Sequence, residues 1–420
     1  MRALLRWMKW YLMDAEEAQT IGRRLRQVRD DRRKSLRVIA GLAGMSTTTL
    51  WRIEHGEHSP TLTEIFALAD ALQISASELT RLPVPAPANG HTDSTIKAIG
   101  LALDAIEAGH PEGMVLPVAV LREQVTRIHQ QRRDCQFDDV ASALPGLTRN
   151  LQTTLAAGAD HGELLDLAVY LHVHVTRLWL VHARAADHLI RRVVFLALRL
   201  AQERDEVSTL AVAGFSVADV LLAGGAFEPS RAKLGSLTLP PVTAETAGFV
   251  AVVTACHALA AVLDGRPGDA AAPMDAAAEI AGRFEVDSLA PVPGPTDAGI
   301  DRFVFGSVDA GTAQMWLALE AKEPDRAVSI ARNININPNR HPLPVARASY
   351  WLHYGRALAQ LRDRRDDAVM ALRTAEKIFP TMVLREPKVR EVLADLLSRS
   401  RRDAVGRELR GMAYRAGLRV

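Results

Sequence analysis

Apolar residues recur at helical spacing along almost the whole chain, and no run alternates with the period of a strand, so the pattern predicts an all-α protein. The most informative stretch is residues 34–56, KSLRVIAGLAGMSTTTLWRIEHG. Ser35 is placed to cap a short helix with Leu36, Ile39, Ala40 and Ala43 on one face, and Gly44 ends it. Ser46 is placed to cap a second helix. There Leu50 and Ile53 turn inward, while Thr47, Thr48, Trp51 and Arg52 face out. A helix that displays threonines and a tryptophan to solvent asks for a partner to touch. A polar loop over residues 55–60 follows. Residues 61–72 then form another amphipathic helix with Leu62, Ile65, Phe66, Leu68, Ala69 and Leu72 as its apolar positions.

The helical period breaks at residues 82–93, LPVPAPANGHTD, where alternating prolines predict an extended, semi-rigid linker. Beyond it, helices are expected at about 93–109, 115–133, 137–157, 162–183, 187–203, 206–224, 244–264, 269–283, 308–321, 325–333, 344–361, 365–378, 386–399 and 402–416. Two proline-bearing interruptions, residues 228–243 and 288–300, read as loops between helix pairs or as a lid over a groove. The domain boundaries that follow are an extension at 1–13, a first domain at 14–82, a linker at 83–93 and a helical body at 94–420.

Charge and cysteine usage refine this picture. The net charge of +2 hides eight basic residues between Arg23 and Arg37 against only Asp30 and Asp31, the electrostatic footprint of a nucleic-acid binder or a solvated helix face. Cys135 and Cys256 are the only cysteines and stand far apart, which fits a reducing cytoplasm and no metal motif. Only seven of the 51 basic residues are lysine and alanine is frequent, which suggests a high-GC, bacterial coding genome. The first thirteen residues, MRALLRWMKWYLM, are too short and too charged to span a bilayer. Three readings of them stand side by side: a start codon upstream of a natural start at Met13, an added amphipathic helix, or contact with a membrane surface. No membrane-spanning role is expected.

Residues 20–82 resemble the five-helix, repressor-type helix-turn-helix domain of the XRE/Cro family. The resemblance is carried by Ile21, Gly22, Leu25 and Arg29, by SLRVIAGLAG, by SxxTLWRIEHG and by SPTLTEIFALADAL. Two departures are Arg33, where the family has a left-handed glycine, and Lys34, which replaces an apolar residue; both make the preceding turn costlier. The body resembles degenerate tetratricopeptide (TPR) repeats. Trp351, Gly355, Ala368, Leu372, Ala375 and Pro380 fall on that motif's positions, with Ala327, Ala270 and Ala277 matching in part. Together these features are similar to large regulators of actinobacteria. The expected fold is therefore an N-terminal five-helix repressor-like head followed by a TPR-like α-solenoid of antiparallel hairpins.

The resemblance implies that Thr47, Thr48 and Arg52 meet base edges in the major groove, with Trp51 at the margin. Ser35, Arg37, Ser46, Thr49 and His58 would contact phosphates, and Arg29 and Glu54 would form a structural ion pair. In the body, Thr312, Trp316, Ser349, Leu352 and Arg356 would line a concave ligand groove, while the asparagines of RNININPNR need no ligand to explain them. The histidines of YLHVHVTRLWLVHARAADH lack the i, i+4 spacing of a helical zinc site, and His172 and His174 would sit about 200° apart on an α-helix. They read as core or groove residues, together with Tyr170 and Trp179. No metal, no cofactor and no enzymatic activity is expected, since phosphate-binding glycine loops and nucleophile motifs are absent from the sequence. The expectation is a sequence-specific regulator: a homodimer on palindromic double-stranded DNA whose body senses a small molecule or peptide. Its rival is a TPR interaction scaffold with an accessory head.

Overall fold

The computed structural model describes residues 15–31, 34–72, 74, 79, 90–158, 160–284, 303, 305–334, 341, 343–398 and 404–418. Among them every regular element is helical. The chain separates into two compact units, Met1–Pro85 and Ala86–Val420, called the head and the body here.

In the head, α1 (Ala15–Asp31), α2 (Leu36–Leu42), α3 (Thr47–Glu54) and α4 (Leu62–Ala71) enclose one apolar core. Its centre is Leu25, Leu50, Ile53 and Leu68, all 0% exposed, each worth about 1.5–3 kcal/mol of burial. Local chemistry sets the helix limits. Ser35 Oγ accepts from Val38 N at 3.3 Å, Ser46 Oγ accepts from Thr49 N at 3.0 Å, and Thr61 forms a reciprocal capping box with Glu64. Gly44 takes φ +66 after α2, and the next amide, Met45 N, donates back to Ala40 O at 2.9 Å, closing the helix as only a residue tolerant of positive φ does cheaply. Gly22 answers a different need: a Cβ there would stand 2.1 Å from Ile53 O, so α1 and α3 touch through backbone. One expectation is corrected, for Phe66 is 57% exposed rather than core. The fifth expected helix and Arg33 lie largely outside the described residues, although Leu79 reaches the core.

The body begins with α5 (Gly90–Glu107), α6 (Val118–Arg133) and α7 (Phe137–Ala156). Next comes α8 (His161–Tyr170), which runs through one π-helical stretch, Leu171–Thr176, into α9 (Arg177–Ala183). It continues with α10 (Asp187–Arg204), α11 (Val207–Ala223), α12 (Phe227–Gly235), α13 (Ala247–Leu263), α14 (Ala271–Arg283), α15 (Ser307–Glu320) and α16 (Pro324–Asn333). It ends with α17 (Pro344–Ala359), α18 (Arg365–Ile378), α19 (Pro380–Arg385), α20 (Pro387–Ser398) and α21 (Ala404–Arg415). Most helices pack against the next in the chain, while α5 packs on α7 and α8 on α10; the most extensive pairing is α17 with α18. There Gly355 is required by closeness, since a Cβ would meet Leu372 Cγ at 2.8 Å and its backbone N at 3.1 Å. Ala368, Leu372 and Ala375 fill the same seam with no exposure.

Three boundaries differ from the sequence reading. The first body helix starts at Gly90, so residues 90–93 of the expected linker are its opening turn, with Thr92 buried. Residues 227–235 form α12 inside the expected loop at 228–243; its Pro229 sits in the first turn, where a missing N–H costs nothing. Pro380 opens α19 for the same reason instead of simply ending a hairpin. The 288–300 interruption lies outside the described residues, as do Asn335, Asn337 and Asn339.

The segment His161–Ala183 is long and apolar enough to cross a membrane, yet 83% of its most apolar window is buried as the core helix of the body. The π-helical turn in its middle places His172, His174 and Thr176 inside, with Thr176 Oγ1 donating to Leu171 O at 3.2 Å. His174 joins Tyr170, His129 and Phe303 in ring contacts of 4.9–6.1 Å, a core role. His172 has both ring nitrogens buried without a hydrogen-bond partner, and burial pushes its pKa down to about 4. Among the described residues no three metal-ligating side chains come together.

Candidate nucleic-acid interface

The surface of the head is built on α3. Thr47, Thr48, Trp51 and Arg52 are exposed on one side of it, while Leu50 and Ile53 are sealed on the other. The helix is fixed at both ends. At its start the Ser46 hydroxyl caps Thr49 N and also lies 2.8 Å from Thr49 Oγ1, so both hydroxyls are engaged. At its end Glu54, with only 1% of its side chain exposed, receives Arg29 Nε at 2.6 Å and Arg29 Nη2 at 2.9 Å in a bidentate fork.

Arg29 does more than pair with Glu54. Its Nη1 donates to Asp30 Oδ1 at 2.6 Å and to the Lys34 carbonyl at 3.0 Å, which pins the turn between α1 and α2. The hydrogen bond to Glu54 raises the Arg29 pKa above its ordinary value against the opposing cost of burial. The charge is therefore permanent and compensated.

Sequence reasoning missed His55. Its ring stacks on Trp51 with centroids 4.1 Å apart and planes 26° from parallel, and its Nδ1 lies 2.7 Å from Trp51 O. A carbonyl only accepts, so Nδ1 is the donor of this bond. The signal was the i, i+4 spacing of an aromatic and a histidine on an outward helix face.

The expected phosphate contacts divide. Ser35, Arg37 and Ser46 are exposed; Thr49 is half-buried. His58 Nε2 lies 3.3 Å from Glu64 Oε2, so a phosphate would compete with an internal partner. Glu64 in turn accepts from Thr61 N at 2.8 Å; burial would raise its pKa, but the bonds from Thr61 and His58 leave it lowered. Arg32 and Arg33 of the basic run lie outside the described residues.

The groove expected in the body is corrected. Thr312 is buried with its hydroxyl donating to Val308 O at 2.7 Å, and Leu352 is a core residue 5% exposed. Arg356 is 8% exposed, 3.6 Å from Glu320 and 3.2 Å from His353 Nδ1, and Ser349 is half-buried. Thr312, Leu352 and Arg356 are thus packed inside the body instead of lining a groove. Trp316 alone of the five borders a described cleft of about 330 Å³, with Asp219, Leu222, Phe227, Leu259 and Lys388 among its walls. Its Nε1 donates to Glu320 at 2.9 Å, as does Lys388 Nζ at 2.5 Å.

Residues 20–82 match the family model of a helix-turn-helix domain. No curated protein matches the chain. Among solved structures, ComR from S. thermophilus in complex with DNA and its signalling peptide ComS is 14% identical. That match covers 74% of this chain and 93% of the other, with a TM-score of 0.27. The apo form of the competence regulator ComR from Streptococcus vestibularis is 10% identical over 96% of this chain and 100% of the other, with a TM-score of 0.26. Likenesses this slight carry no argument about the body. The head, by its own geometry and by the family match, is a helix-turn-helix domain.

Proposed function

We propose that the protein is a sequence-specific transcription regulator of the XRE type in a bacterial cytoplasm, and that it has no enzymatic activity. In this reading α3 enters the major groove. Thr47, Thr48 and Arg52 read base edges, Trp51 stacked on His55 meets the groove margin, and Ser35, Arg37 and Ser46 hold phosphates. The observation that carries it is the display of four partner-seeking side chains on a helix whose cap and bidentate Arg29–Glu54 brace hold it rigid.

The regulator acts as a homodimer whose two heads read half-sites about one helical turn apart. The body, a TPR-like solenoid, supplies dimerisation and senses a small molecule or peptide. Both cysteines are free, which suits a reducing compartment. Footprinting on genomic fragments, with stoichiometry measured on the protected sites, tests the reading. Discrete two-fold sites occupied by two chains support it. Uniform protection that weakens with salt equally on all fragments overturns it.

A further inference from the structure

In the middle of the body alternate helices pack on one another: α11 on α13, α13 on α15 and α15 on α17. The cleft of about 330 Å³ opens on this row. Asp219 and Leu222 come from α11, Leu259 and Leu263 from α13 and Trp316 from α15, while α20, which packs on α17, brings Lys388 to the wall. A volume of this size stands at the lower end of ordinary small-molecule sites, so it suits a compact molecule and not an extended chain.

The polar part of that wall is held from behind in two places. Buried Arg177 pairs with Asp219 and fixes that carboxylate at the cleft, its own Nε directed to Val173 O at 3.4 Å. Glu320, at the end of α15, receives Trp316 Nε1 at 2.9 Å and Lys388 Nζ at 2.5 Å. One carboxylate therefore sets an indole and an ammonium side by side.

The charges at these two places are unequal. Arg177 and Asp219 cancel one for one. Glu320 answers Lys388 and also buried Arg356, whose Nη2 stands 3.6 Å away. His353, 3.2 Å from Arg356 Nη1, is kept neutral by burial, and exposed Glu391 acts on Arg356 from beyond ion-pair distance. Two cations thus share one mostly buried carboxylate. The accessible one is Lys388, with 46% of its side chain open and only one of its three N–H groups engaged.

We propose that this cleft binds a small apolar carboxylic acid, with its carboxylate on Lys388 beside Trp316 and its hydrocarbon body against Leu222, Leu259 and Leu263. The ammonium supplies free donors and the surplus positive charge, and the leucines supply the apolar wall. Asp219 repels an anion placed at the wrong end and so sets the direction of the ligand. The inference rests on the reading of the body as a sensor and gives that reading a ligand class. Lys388 also belongs to the junction of α19 and α20, where Arg385 pairs with Asp93 in the first turn of α5 at 3.0 Å and Glu386 pairs with Arg184 after α9. An acid that draws Lys388 off Glu320 pulls on the same short turn that holds the first helix after the head, which gives the signal a physical path.

The test is titration calorimetry on the full chain without DNA, using two series of probes: hexanoate with hexanamide and hexylamine, and 3-phenylpropanoate with its amide and 3-phenylpropylamine. Each apolar body thereby carries an anion, no charge or a cation. Saturable binding of an acid about tenfold tighter than its amide and its amine is expected. Lys388→Met should remove that preference and Lys388→Arg should keep it. Leu259→Trp, which fills the cleft, should abolish binding of every probe, and Arg122→Gln, which removes a partner of exposed Glu163, should change nothing. Circular dichroism establishes that the variants are folded. Equal affinity for acid and amide, tighter binding of the amine, no saturable binding of any probe, or a preference that survives Lys388→Met overturns the proposal. DNA affinity of the ligand-free Lys388→Met chain stays at the wild-type value, and acid binding that leaves DNA affinity unchanged overturns the sensor reading while upholding the site, so the two claims fail separately.

Discussion

In the head, the buried charged pair is complete: Glu54 receives both arms of Arg29, and the remaining N–H groups of Arg29 reach Asp30 and the Lys34 carbonyl. In the body, His172 lies in the core with neither ring nitrogen bonded. Unpaired buried polar groups cost free energy, and a fold retains them where they serve something besides stability. The head displays Thr47, Thr48 and Arg52 on the outside of α3, where a ligand can meet them. The body keeps His172 inside, where only a bound group or a change of conformation can answer its ring nitrogens.

The sharpest way to break the comparison is to orphan the head's buried charge. Glu54→Ala leaves Arg29 unpaired among buried groups and should cost about 3–5 kcal/mol, enough to unfold the head. Amide hydrogen exchange should then show lost protection over residues 15–72 and unchanged protection in the body. If protection in the head persists, the pair is not its brace.

Acid should act on the body in the opposite sense. His172 is neutral when folded, with a pKa depressed to about 4 from the ordinary 6.5, so between those values the unfolded chain binds the extra proton. Stability is thus lost as pH falls from 6.5 towards 4 and is flat below, a loss of about 3 kcal/mol from this residue. Urea unfolding of the wild type and of His172→Leu across that window checks it; equal slopes would place the proton uptake elsewhere.

Smaller effects sharpen the reading of α3. Arg52→Ala should remove about 1–3 kcal/mol of discrimination at one base position with little change in salt dependence, read by competition binding with single-base variants. Ser46→Ala removes the cap on Thr49 N and should cost about 1 kcal/mol in thermal melting of the head, without altering which base is preferred.

Legibility follows the same division. The head could be read because its limits are set by residues next to one another: Ser35, Gly44, Ser46 and Thr61 act within three or four residues of themselves. Its apolar positions reach one small core, and Phe66 failed because an amphipathic helix at the edge of such a core has more apolar residues than core to bury them. In the body the helical period located most helices. It misses α12 and α19 because proline, which breaks the interior of a helix, stands in the first turn of both. The groove residues Thr312, Leu352 and Arg356 were misplaced because a repeat pattern gives the face of a helix but not what the next hairpin lays over it. Neither the π-helical turn nor the cleft between Trp316 and Lys388 has a local signal, since both depend on helices distant in sequence.

The central claim is that α3 reads sequence. Selection of bound DNA from a random pool by the full chain measures it directly, with Thr47→Ala, Thr48→Ala and Arg52→Ala selected in parallel. The account predicts one enriched two-fold motif for the wild type and a loss of preference at individual positions for each variant. A pool that stays random, or a motif that all three variants select unchanged, would contradict it.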